Sequence, residues 1–230
     1  MGECCSSTSY LLAEEEVITI LKDPNFHLRN YTYNRLLNEI VSKRIKQEIH
    51  KKHIKELLIP NLYTKDSNSN SKNQVYMDSI FDLILSQLKE KNNMYTVMLY
   101  FYPFINHEGE KCEENMFSIF QYMAGILSLK NFKEGLTKYV LFVTKGITDA
   151  IWQKCDDANI AGGLDDLINN VYNEDNVNRF VERVIADVKK GVPPSQLQTG
   201  IKMEQFKELF MKYDLSTIES VRELMLTNGQ

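Results

Sequence analysis

The sequence predicts an all-α fold, an irregular multi-helix domain, and three observations carry that reading. Glycine and proline are scarce, at 10 and 5 of 230 residues, which leaves few breaks for the many turns of a β-sandwich. Apolar residues recur at three- and four-residue spacing in segment after segment, as one buried helix face requires. No convincing hairpin signal joins alternating apolar runs.

The elements follow in order. Residues 1–9 form a polar, flexible terminus, and residues 10–60 a first group of helices. Tyr10 to Leu21 reads as a helix with Glu14, Glu15 and Glu16 in its opening turns, where acids suit the helix dipole. Asp23-Pro24-Asn25 ends it. A longer helix is expected over 31–58, with Leu36, Leu37, Ile40, Val41 and Ile45 on one face. Its stripe almost vanishes from Lys46 to His53, so this helix either bends or projects from the body. Residues 61–74 are rich in Ser and Asn, which compete for backbone hydrogen bonds, and read as a mobile loop.

The helical body then spans 75–230. Ile80, Phe81, Ile84, Leu85 and Leu88 line a helix over 75–91. Met94 to Ile105 is almost unbroken apolar sequence, expected as a fully buried helix capped by Asn93 and stopped by Pro103. A turn containing Gly109 leads to helices near 113–129, 132–144 and 148–156. A loop at Gly162-Gly163 precedes a short helix at 164–171. Asn173 caps a helix over 174–190 with Val177, Phe180, Val181, Val184, Ile185 and Val188 inside; Gly191 and Pro193-Pro194 end it. The last two helices start near Ile201 and at Ser216, where Ser216 and Glu219 have capping-box spacing.

Composition excludes several classes. Twenty-seven Lys and Arg face 31 Asp and Glu, a formal net charge of -4, which argues against broad nucleic-acid binding. No apolar run approaches the length of a transmembrane helix. There is no phosphate-cradling glycine loop and no recognisable nucleophile-base pattern, although Cys155 and His107 would form one if they met in space. His50, His53 and Glu56 share a helix face but sit among lysines, which oppose a cation. The chain is therefore expected to be non-catalytic and to hold no cofactor. Lys43, Arg44, Lys51, Lys52 and Lys55 form a basic stretch that suits anionic lipid headgroups, each well-placed charge adding about 1 kcal/mol.

The chain opens Met1-Gly2-Glu3-Cys4-Cys5-Ser6. This start resembles those of dually acylated proteins of the cytoplasmic membrane face. The resemblance implies myristate on Gly2, with Ser6 completing the pattern, and palmitate on Cys4 and Cys5. One acyl chain holds a protein only marginally, and a second makes attachment persistent. Glu3 departs from the pattern, which usually disfavours a charge there.

The body weakly resembles degenerate EF-hand proteins. From Asp157, the loop positions 1, 3, 6 and 9 are Asp157, Asn159, Gly162 and Asp165, but Ile168 stands where calcium needs a bidentate Glu. Asp157, Asn159 and Asp165 are thus weak calcium candidates. The expected function is a membrane-anchored helical adaptor or scaffold, lipid-anchored at the cytoplasmic face and binding an unidentified protein partner. The alternative is an EF-hand-derived regulator with little or no calcium binding.

Overall fold

A computed structural model describes residues 6–23, 27–42, 48–62, 72–124, 127–190 and 200–228. Nearly all of these are helical. Helix α1 (Ser6–Leu21) buries Ala13, Val17, Ile20 and Leu21 and is followed by a 3₁₀ turn, His27–Asn30, that buries Leu28. Helix α2 (Tyr33–Ser42) buries Tyr33, Leu36 and Ile40 along one face.

The single long helix expected over 31–58 is not observed. Ile49–His50 is a two-residue strand, β1, before α3 (Lys51–Leu62). Strand β1 pairs antiparallel with β2 (Lys91–Asn92), Ile49 opposite Asn92 and His50 opposite Lys91. The weak stripe between Lys46 and His53 thus marks a break: Ile49, the one apolar residue there, is buried and lies in the strand.

Helix α4 (Lys72–Gln87) leads into β2, and α5 (Met94–Phe101) starts at Asn93, whose side chain accepts from the Tyr95 amide at 2.8 Å. Val97 to Phe101 are all buried, and Pro103 sits in the 3₁₀ turn Tyr102–Phe104 that ends this segment. Gly109 takes a left-handed φ of 72° in the following turn, a conformation costly for side-chain-bearing residues. Helix α6 (Cys112–Ala124) has Glu113 and Glu114 in its first turn.

Helix α7 (Leu129–Leu141), capped by Ser128, continues through a π-helical turn (Phe142–Gly146) into α8 (Ile147–Trp152). Helix α9 (Ala158–Asp166) likewise continues into a π-helical turn (Leu167–Val171). Gly162 and Gly163, expected in a loop, lie inside α9. The reason is packing: a Cβ on Gly163 would stand 2.4 Å from the Ser9 carbonyl oxygen and 2.8 Å from the Ala13 Cβ. The missing side chain lets α1 and α9 cross closely.

Helix α10 (Glu174–Lys190) buries the stripe its sequence announces, and Asn173 accepts from the Asn176 amide at 2.9 Å. Gly191 and the prolines after it lie outside the described residues. Helices α11 (Met203–Lys212) and α12 (Ile218–Asn228) complete the fold. Thr217 rather than Ser216 caps α12, accepting from the Ser220 amide at 3.1 Å, while Ser216 hydrogen-bonds Asp214.

One buried cluster runs from Ala13 in α1 to Met225 in α12. At the junction of α6, α7 and α11, Phe120 meets Phe132 edge-on with ring centroids 5.5 Å apart, and Phe117 meets Phe206 at 5.4 Å. Edge-to-face geometry aligns the positive rim of one ring with the negative face of the next.

Candidate functional site

The most heavily bonded polar group in the interior is Arg222 of α12, which is fully buried. Its Nε and Nη2 both donate to the Glu14 carboxylate at 2.6 Å. Nη1 donates to the Val143 and Thr144 carbonyls at 2.9 and 3.2 Å, and Nη2 also to the Thr148 hydroxyl at 3.0 Å. All five guanidinium N–H groups are therefore used. The Tyr172 hydroxyl donates to Glu14 at 3.0 Å, and the Tyr172 ring lies 4.8 Å from the guanidinium carbon.

Both π-helical turns adjoin this network. The wide turn at Phe142–Gly146 presents two of the carbonyls that Arg222 binds, and the Tyr172 amide closes the second turn by donating to Leu167 O at 2.7 Å. Such turns displace backbone groups from the regular helical ladder. Burial opposes the Arg222 charge, but the facing Glu14 carboxylate outweighs it and holds the guanidinium firmly protonated. The network is enclosed and ties α1, the Phe142–Gly146 turn, α8 and α12 together. Glu14, read from sequence as a dipole-complementing acid, is instead the buried partner of Arg222.

Gly2, Cys4 and Cys5 lie outside the described residues. They directly precede α1, whose early turns expose Leu11 and Leu12 at 48% and 54%. Lys43 and Arg44 also lie outside the described residues. Lys51, Lys52 and Lys55 stand on α3, Lys52 and Lys55 exposed and Lys51 half-buried. Strand β1 precedes α3, so the single helix expected to carry the whole basic stretch is not observed. Helix α3 packs on the His27–Asn30 turn beyond the C-terminal end of α1. The acylation candidates precede its other end, about 24 Å away along 16 residues at 1.5 Å each.

The calcium candidates are placed differently from an EF-hand loop. Asp157 is the N-cap of α9, its Oδ1 accepting from the Asn159 and Ile160 amides at 2.9 and 3.2 Å. Asn159 and Asp165 lie within the helix, and Asp165 accepts from the Asn169 side chain at 3.0 Å. A helix through positions 158–166 cannot wrap these oxygens around one cation, so the expected loop is corrected to a capped helix. No group of three or more metal-binding side chains occurs among the described residues.

His107 and Cys155 are not joined by a hydrogen bond. The Cys155 thiol contacts Asp157 O at 3.5 Å, whereas His107 packs against the Tyr102 ring, centroids 4.6 Å apart. Both ring nitrogens of His107 are buried without a hydrogen-bond partner, and this burial lowers its pKa despite the nearby Glu110, Glu219 and Asp214. His50 and His53 meet edge-on at 5.7 Å.

A cleft of about 560 Å³ opens between β2, the start of α5, the end of α6 and α7. Lys89, Lys91 and Lys138 line it with the single acid Glu134, over a floor that includes Leu99, Tyr100 and Met123. Asn92 fixes its rim: the side chain is buried, donates to Lys89 O at 2.6 Å and accepts from Lys89 N at 2.9 Å. A second hollow of about 320 Å³ shares Gln87 and Lys138 and balances Lys145 with Asp149 and Glu174. Lys89 and Lys91 come from one short stretch and Lys138 from a helix some fifty residues later, so no local motif announces the three together.

No helix among the described residues is long and apolar enough to cross a membrane. Comparisons with protein-family models, curated proteins and solved structures find no match for this chain.

Proposed function

We propose that this protein is a non-catalytic helical adaptor, attached to the cytoplasmic face of a membrane by acyl chains on Gly2, Cys4 and Cys5. The observation that carries the reading is the Met1-Gly2-Glu3-Cys4-Cys5-Ser6 start, set immediately before a helix that begins at Ser6. Two fatty chains close together supply persistent attachment without any spanning segment. Leu11 and Leu12 support the reading, because they leave apolar surface exposed on the first half of α1, close in sequence to the acylation candidates.

Lys51, Lys52 and Lys55 supply a secondary electrostatic contact with anionic headgroups, weaker than the acyl chains and sensitive to salt. The helical body, tied together by the Glu14–Arg222 network, acts as the rigid platform for a protein partner. Metabolic labelling with myristate and palmitate analogues tests the attachment. The wild-type chain is expected to take up both labels, and Cys4→Ser/Cys5→Ser to shift substantially into the soluble fraction. A wild-type chain that takes up neither label removes the proposal.

A further inference from the structure

The geometry points to a binding site for a small polyphosphorylated ligand in the cleft lined by Lys89, Lys91 and Lys138. The charge argument is local. The whole chain carries a net charge of -4, yet this cleft gathers three lysines against one glutamate. Among the described residues Lys89 and Lys138 form no ion pair, and Lys91 has only an exposed contact with Glu48 at 3.6 Å. Exposed pairs of that kind contribute little and yield readily to a better anion.

The site is also held in shape. The buried Asn92 clamps the chain at Lys89 through two side-chain hydrogen bonds, and the β1–β2 pairing fixes Lys91. Lys138 comes from α7, a different element of the lining. Positive charge thus comes from two elements around a space of about 560 Å³, within the range of small-ligand sites. A ligand with two or more phosphate groups satisfies both elements at once, each phosphate carrying roughly -1.5 to -2 charges at neutral pH. The Gln87 side-chain oxygen on the lining suits a hydroxyl group between the phosphates. An inositol phosphate has this chemistry, either free or as a lipid headgroup.

The test uses the full chain carrying Gly2→Ala, Cys4→Ser and Cys5→Ser, so that the result stands apart from acylation. Calorimetric titration with inositol trisphosphate is expected to give saturable binding that weakens as salt is raised. Lys89→Gln/Lys138→Gln should weaken it at least about tenfold, as loss of charge-assisted hydrogen bonds implies. Lys154→Gln, on an exposed turn outside the cleft, should leave it unchanged. Circular dichroism melts of each variant separate lost binding from lost folding.

Phosphatidylcholine vesicles with and without phosphatidylinositol bisphosphate distinguish the two sources. Capture by the doped vesicles alone, relieved by soluble inositol trisphosphate, supports the headgroup form. Saturable binding of the soluble compound without vesicle capture supports the free form. The assignment is overturned by absence of binding to both probes, or by equal affinity in the folded double-lysine variant. Tighter binding of a polyglutamate peptide than of inositol trisphosphate overturns it equally.

Discussion

Replacing Arg222 with Met keeps much of the side chain's length but removes every donor it supplies. Glu14 is then left buried with only the Tyr172 hydroxyl, and the Val143 carbonyl loses its guanidinium donor, while the Thr144 carbonyl keeps the Thr148 hydroxyl at 2.9 Å. Removing one member of a buried ion pair costs about 3–5 kcal/mol. Each orphaned buried acceptor adds roughly 1–3 kcal/mol where the backbone cannot relax or admit water. Against a total stability on the order of 5–15 kcal/mol, the low end already removes a large share. Glu14→Leu alone is expected to cost a similar amount, since it strands a buried guanidinium. The double variant Glu14→Leu/Arg222→Met should be clearly less damaging than the sum, because no charge is left alone in the interior. It should still fall short of wild type, because the Val143 carbonyl and the Thr148 hydroxyl lose the guanidinium as a donor. Urea denaturation followed by helical circular dichroism gives all four corners of the cycle. A cost below about 1 kcal/mol for Arg222→Met, or strictly additive single effects, would refute the reasoning.

Three further outcomes follow from the packing and the caps. Gly163→Ala should destabilise by about 1–3 kcal/mol, because its Cβ collides with the Ser9 carbonyl and Ala13. Gly162→Ala, one residue earlier with nothing within 4 Å, should instead stabilise by about 0.5–1 kcal/mol; urea midpoints compare the pair. Asp157→Ala should cost about 0.5–2 kcal/mol as a lost N-cap, with calcium titrations flat in both wild type and variant. His107 is buried with a lowered pKa, so the unfolded chain takes up its proton first as pH falls. Its contribution is constant above about pH 6.5, and stability is lost from there down through the lower folded value. His107→Phe should flatten that part of the stability–pH curve, and an unchanged slope would count against the burial argument.

Sequence legibility varied with how local the deciding interaction is. Helix α5 was readable because Asn93 and Pro103 punctuate it on both sides, and α10 because six apolar residues keep one helical stripe behind the Asn173 cap. The break between α2 and α3 was not. Ile49 sits in a strand whose partner, Asn92, no pattern near residue 49 announces. Gly162-Gly163 reads as a loop by propensity, yet Gly163 is there to admit the α1 backbone, a contact with residues far away in sequence. Glu14 looked like a surface acid for the same reason, since its partner is near the other end of the chain. The acylation proposal rests on one contiguous stretch, Met1 to Ser6. The cleft lysines are not legible because two segments distant in sequence, 89–91 and α7, assemble them, and a net negative composition hides a local positive excess.

Mass spectrometry of the mature amino terminus, isolated from native cells, tests the central proposal most directly. The account predicts a terminal peptide that lacks Met1, carries myristate on Gly2 and carries palmitate on Cys4 or Cys5. An intact Met1 followed by unmodified glycine and free cysteines would contradict it.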